Sequence, residues 1–416
     1  MGERAGARWS RREWAIRGLL ALMVLVAGYL GVCQTLAASL RASHPERAHR
    51  LAPYDGRASA LLGRKLLSTA TTPSERLKAR RMAQAALRQD PTSVAAAATL
   101  GLVAQVNGDS AAARTIFAYA ERLSRRDIQT QLWAIEDAVS RDDVAGALRH
   151  YDIALRTTRR ATDLLYPVLG TAISDPVVRT ALVRTLARKP AWQDSFISYV
   201  SVNGPIPRAT ALLFQMLHQR GHQLSDEATA AVTTKLIRDG AFEDAWRYYA
   251  SVRQGADRRS SRDPAFRAMF AEATPFDWMP INDNGVSASM QRGERGGVFE
   301  FAAPSSVGGT VLRQQQLLPS GSYSLAGHSS DIDQPENSRP YWALSCSDGR
   351  ELGRVTLPPS SQKRGAFSGI LAVPRDCPVQ MLELIVRPSD AVSGVSGRIE
   401  RVELRPVARS SKQAGQ

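Results

Sequence analysis

At 416 residues, 44% hydrophobic and 22% charged, the chain is too long for one ordinary domain and too apolar to remain unfolded. Its net charge of +15 raises the question of nucleic acid, yet of 54 basic residues 48 are Arg, scattered without aromatic interleaving. Such an arginine skew, with abundant Ala, reflects a GC-rich genome; nucleic-acid binding is not expected, and an acidic glycan or lipid surface is the better counter-charge.

Residues 18–40 contain no charged side chain, and 23 helical residues reach about 34 Å, enough for hydrocarbon about 30 Å thick. Arg4, Arg8, Arg11, Arg12 and Arg17 precede this run, with Trp9 and Trp14 as interface anchors. Positive charge stays in the cytoplasm, so residues 1–17 are expected there. Residues 18–40 then form a single transmembrane helix in a bacterial inner membrane, and the bulk is periplasmic. A cleaved signal peptide is the rival reading, since Ala37-Ala38-Ser39 is an acceptable site. A lipoprotein fits less well, because Val32 stands before Cys33 where a small residue belongs. Residues 41–54 read as a linker.

From residue 55 to 255 the chain reads as helix pairs. Ala79, Ala113 and Ala147 are 34 residues apart, as are Ala83, Phe117 and Tyr151, and again Ala86, Ala120 and Ala154. In the clearest unit Gly101 lets a partner helix approach, Asn107-Gly108-Asp109 turns the chain, and Ala113, Phe117 and Ala120 line one face. In the next, Asp142-Asp143 replaces the glycine turn and Ile135 stands where a small residue is usual. Between 160 and 225 the period is lost, with helix stops expected at Asp175-Pro176, Lys189-Pro190 and Gly204-Pro205; it returns at Asp239-Gly240, Ala245 and Tyr249. Five to six pairs are expected, none able to bury its apolar face alone.

A 34-residue period with these residue types resembles the tetratricopeptide repeat (TPR) family, most specifically over residues 94–127. The resemblance implies an α-solenoid whose first helices line a groove for a protein partner, here through Gln105, Gln129, Leu132 and Glu136. No cluster of Lys and Asn forms the carboxylate clamp of some family members.

Residues 256–275 read as a linker, with one short helix around 264–273. From 276 to 407 the period becomes two: Phe299 and Phe301, Tyr323 and Leu325, Trp342, Leu344 and Cys346, Leu382, Leu384 and Val386, then Val402 and Leu404. Turns such as Pro319-Ser320-Gly321 and Ser347-Asp348-Gly349 separate about eight strands, the pattern of an antiparallel β-sandwich, a jelly roll. Cys346 and Cys377 fall in this region, either as a disulfide suited to an oxidising compartment or as two separate buried thiols. Residues 408–416 read as a disordered tail.

The run Leu317 to Tyr323 and the closing strand Gly397 to Leu404 are similar to those of jelly-roll carbohydrate-binding modules. That likeness implies an exposed aromatic for sugar stacking with carboxylates and amides for hydroxyls. The candidates are Trp278, Tyr341, and His328 with Asp331 and Asp333 in one polar loop; the two aspartates alternatively suit calcium. Trp342, in phase with Leu344, is expected in the core.

No catalytic motif emerges. His218 and His222 have i, i+4 spacing without a neighbouring Glu, and Ser360-Ser361-Gln362-Lys363 matches S-x-x-K only in a polar loop. The sequence thus predicts a multidomain, α-then-β chain: one transmembrane helix, a TPR-like solenoid and a C-terminal sandwich. A scaffold without enzymatic activity, cofactor or metal is the expected function, binding a protein and a glycan in envelope or surface-polysaccharide assembly; pure protein–protein assembly is the alternative.

Overall fold

A computed structural model describes residues 10–293 and 296–407. Arg4, Arg8 and Trp9, and the tail 408–416, lie outside the described residues. The chain divides into two compact units, Met1–Leu165 and Tyr166–Gln416.

In the first unit, α1 (Arg11–Leu40) is long and apolar enough to cross a membrane, with a mean hydropathy of 2.1 in its best window. Ser10 and Glu13 form a reciprocal capping box at its start. Apolar side chains from Trp14 to Val32 are exposed along it, as is Leu36, while Cys33 is buried. Its last turns differ. Ala37 is fully buried, and with Leu40 it packs on Ala48 and Leu51 of α2 (Pro45–Leu51), on Ala52, and on Ala58 of α3 (Gly56–Ser68). Residues 41–54 are therefore no free linker. Small alanines let three helices approach closely there.

The array continues through α4 (Pro73–Gln89), α5 (Val94–Val106), α6 (Ser110–Leu123), α7 (Ile128–Val139) and α8 (Val144–Thr157), and α9 (Ala161–Ala172) opens at the unit's edge. The three 34-step alanine and aromatic series are all buried. A Cβ on Gly101 would lie 2.6 Å from the Phe117 ring, so glycine is what lets α5 meet α6. Gly108 turns at φ +82°, and Asp142, 34 residues on, takes the same left-handed turn at φ +57°. Asp109 and Asp143 then cap α6 and α8 through the backbone N–H groups of Ala112 and Gly146. In the next pair Ile135, the counterpart of Gly101, is buried, and Trp133 beside it stacks back on Phe117 at 4.3 Å between centroids.

The second unit holds α10 (Pro176–Leu186), α11 (Gln193–Asn203), α12 (Pro207–His218), α13 (Asp226–Arg238) and α14 (Phe242–Val252). Asp175-Pro176, expected as a stop, opens α10: Asp175 accepts from Val177 N and proline occupies the first turn, where no N–H is needed.

Ten strands follow among the described residues, against about eight expected: β1 (Met279–Pro280), β2 (Ser287–Gly293), β3 (Gly296–Ala303), β4 (Gly309–Gln316), β5 (Gly321–Ser330), β6 (Tyr341–Cys346), β7 (Glu351–Thr356), β8 (Gly365–Val373), β9 (Gln380–Val386) and β10 (Val395–Pro406). They form two antiparallel sheets, β1-β4-β9-β6-β7 and β2-β3-β10-β5-β8. Phe299, Leu325, Trp342, Leu344, Leu384 and Leu404 are among the fully buried residues between them. Cys346 and Cys377 are joined by a disulfide.

The stretch 256–275 is packed, and no helix forms in 264–273. Asp263 and Phe266 both take left-handed φ values, +45° and +51°. Asp263 accepts from the N–H groups of Arg267 and Ala268, while Phe266 is buried against Trp278 and Phe299. The buried ring fixes a backbone that a helix cannot adopt.

Candidate interaction sites

Gln129, Leu132 and Glu136 recur at i, i+3, i+7 on α7 and form one open stripe. Glu136 is exposed and Leu132 half-buried, while the Gln129 Oε1 is out of solvent without a hydrogen-bond partner. Gln105 is already engaged, its Oε1 accepting from Trp133 Nε1 at 3.1 Å. It therefore holds α7 against α5 and orients the indole that stacks on Phe117.

The five sandwich candidates do not gather into one site. Trp278 is 2% exposed and packs on Phe266 and Trp342, with its Nε1 donating to Asp263 O at 3.0 Å. No ring face is left for a sugar, because the indole is part of the core. His328 is on β5 and not in a loop, and its outward side belongs to the second sheet, whereas Tyr341 points outward from the first. Asp331 and Asp333 are exposed on either side of Ile332, which is buried and pins the turn. Asp331 is ion-paired with Arg398 at 3.3 Å.

Tyr341 is the aromatic that meets the outer surface. The Arg387 guanidinium carbon lies 4.5 Å from its ring centroid and that of Arg354 4.9 Å. Opposite it on β9 is Ile385, and further along the same face Glu383, Met381 and Ser345 of β6 are half-buried; Glu383 accepts from Thr310 Oγ1 at 3.1 Å. Arg354 is held by Glu351, donating from Nε at 2.7 Å and from Nη2 at 2.9 Å, and Arg387 donates to Asn337 O at 3.2 Å. Of the two guanidiniums, Arg387 is thus the one without a carboxylate partner among the described residues for an anion to meet. Neither arginine is legible from strand periodicity alone; Arg354 reaches Tyr341 because β7 is registered with Thr356 opposite Tyr341.

Ser360 is buried, and its Oγ accepts from Ile332 N at 3.3 Å, so the serine of the S-x-x-K match ties down a loop. His222 Nδ1 is 3.2 Å from Gln193 Nε2, and His218 is exposed. Among the described residues no three His, Cys, Asp or Glu side chains gather as a metal site.

These features define a class: helix pairs behind one long apolar helix, followed by an antiparallel β-sandwich. No family model matches the sequence, and no curated protein matches it. Among solved structures the chain is similar to a CBM4 module, at 15% identity over 35% of this chain and 99% of that one, TM-score 0.27. It is similar to a CBM22 xylan-binding domain from Paenibacillus barcinonensis, at 11% identity over 37% of this chain and 97% of that one, TM-score 0.25. It is also similar to the TPR domain of P58(IPK), at 16% identity over 47% of this chain and 59% of that one, TM-score 0.23. No ligand or partner follows from these likenesses.

Proposed function

We propose that the chain is a membrane-anchored interaction protein without catalytic activity, holding a protein segment on its first helical unit and an acidic glycan on its sandwich. The open stripe of α7 carries the reading. Leu132, half-buried, and Glu136, exposed, stand on one face of the helix and offer a peptide an apolar contact beside a carboxylate acceptor. On the sandwich, Tyr341 and Arg387 suit a sugar ring bearing a carboxylate, Arg354 being already paired with Glu351.

The anchor is α1, retained and not cleaved. Cleavage after Ser39 removes the fully buried Ala37 from its packing against Ala48 and Ala58. The basic residues preceding it favour a cytoplasmic start and a periplasmic body, where the Cys346–Cys377 disulfide persists. Assembly of an envelope or surface polysaccharide is the process that unites these parts.

A second reading has its own support. The two guanidiniums already cover the Tyr341 ring, which favours a sandwich that only packs against protein. Photo-crosslinkers at Leu132 and Glu136 in cells are expected to yield protein adducts; their absence with the protein at normal abundance removes the groove. Purified full chain on an array of acidic and neutral glycans is expected to bind uronate-bearing ones, with loss in Tyr341→Ala; no binding leaves the protein-only reading.

A further inference from the structure

Arg88, Arg122 and Arg156 follow one another at the 34-residue step, each in the last turn of its helix, α4, α6 and α8. A cation there complements the helix dipole, which by itself explains these three. It does not explain the next four. Arg125 and Arg126 lie past the cap of α6, and Arg159 and Arg160, 34 residues on, lie past the cap of α8. All seven are exposed, and among the described residues a carboxylate pairs with just one, Arg156, through Asp152 at 2.8 Å.

The loops carrying them are stitched side by side. Tyr119 Oη donates to Pro91 O at 2.7 Å, and Thr158 Oγ1 donates to Arg126 O at 3.3 Å. The acids nearby are largely engaged: Asp90 by Thr92 and Arg57, Asp127 by Arg64 and Thr130. Between the ends of α6 and α8 an open cleft of about 800 Å³ is lined by Arg122, Arg125, Arg149 and Arg156, with Glu121 and Asp152 as its acids. The same edge begins where α1 ends. Gln89, next to Arg88, donates to Pro53 O at 3.2 Å, just beyond α2, on which Arg47 and Arg50 are exposed.

We propose that this arginine edge of the first unit rests on the anionic phospholipid headgroups of the membrane that α1 crosses. The proposal depends on reading α1 as a retained span. Headgroup phosphates are the polyanion always beside the start of the edge, and juxtamembrane arginines are the residues that such a surface attracts. The cleft then seats a headgroup between successive repeats.

The full chain, reconstituted in nanodiscs of phosphatidylcholine alone or with phosphatidylglycerol, is followed by amide hydrogen exchange. Residues 124–127 and 158–160 are expected to exchange about tenfold more slowly in the anionic discs, since several arginines share the contact. High salt, or the combined variant Arg125→Ser, Arg126→Ser, Arg159→Ser and Arg160→Ser, abolishes the difference while circular dichroism stays unchanged. Equal exchange in both discs overturns the proposal. So does the same protection in neutral discs on adding inorganic phosphate or an acidic polysaccharide, which identifies a soluble anion as the occupant. A chain that enters neither disc defeats the anchor reading instead, and is told apart by its flotation.

Discussion

The Tyr249 hydroxyl donates to Asp277 Oδ1 at 2.7 Å, joining the last helix to the chain that enters the sandwich. Asp277 Oδ2 accepts from both the N–H and the hydroxyl of Thr274, so both carboxylate oxygens are engaged. Beside it Arg262 is buried, donating to Phe276 O at 2.8 Å and to Gln316 Oε1 at 2.6 Å, and burial lowers its pKa to about 10. Phe276 in turn meets Trp246 and Tyr249 ring to ring. Helix α14 and the sandwich therefore share polar and aromatic packing within one unit.

Tyr249→Phe leaves Asp277 Oδ1 without its donor and is expected to destabilise the second unit by about 1–3 kcal/mol. Guanidinium unfolding followed by helical circular dichroism and by tryptophan fluorescence gives the value. Because α14 and the sandwich share this junction, the fall in stability appears in both signals together. Loss of the helical signal alone contradicts the shared packing.

Gly101→Val drives a side chain into the Phe117 ring, which a Cβ alone meets at 2.6 Å. A loss of about 1–3 kcal/mol is expected for the first unit. Phe117→Leu in the same chain recovers part of it, because contacting residues do not add independently. Urea unfolding of the two single variants and the double variant measures this coupling.

His150 is buried, and desolvation lowers its pKa; Glu121 and Asp143 oppose that shift and Arg149 adds to it. The folded chain thus binds this proton less tightly than the unfolded chain. Stability is complete above the ordinary value of 6.5 and falls as pH drops from there through the lowered folded value. Unfolding midpoints measured across that range are expected to decline, and His150→Gln flattens the decline.

Much of the first unit was legible because a period of 34 repeats identical chemistry: Ala83, Phe117 and Tyr151 are buried where their spacing put them. The turn at Asp142 was legible as the missing glycine, though not its left-handed geometry. Helix α2 was hidden, since its burial depends on alanines at 37, 48 and 58 meeting in space. The sandwich surface was less legible for a related reason. Periodicity tells inward from outward, which placed Trp342 correctly, but it does not say which sheet a strand joins. His328 and Tyr341, both outward by their period, lie on different sheets, and Trp278, at the start of the domain with no strand period to place it, is packed in the core.

Reducing the Cys346–Cys377 disulfide frees a loop of 31 residues and is expected to cost about 3–4 kcal/mol in the chain-entropy account. Comparing unfolding of the intact chain with the Cys346→Ser, Cys377→Ser variant tests the size. A two-dalton mass change on reduction of protein isolated from cells tests whether the bond forms there.

The most direct test concerns the buried end of α1. Membranes are washed with alkaline carbonate and the retained protein is digested for mass spectrometry. Peptides from residues 18–40 still joined to the body, in the membrane pellet, are the predicted result. A soluble chain whose first residue is Leu40 contradicts it, because Ala37 and the packing it makes with α2 and α3 are then absent from the mature protein.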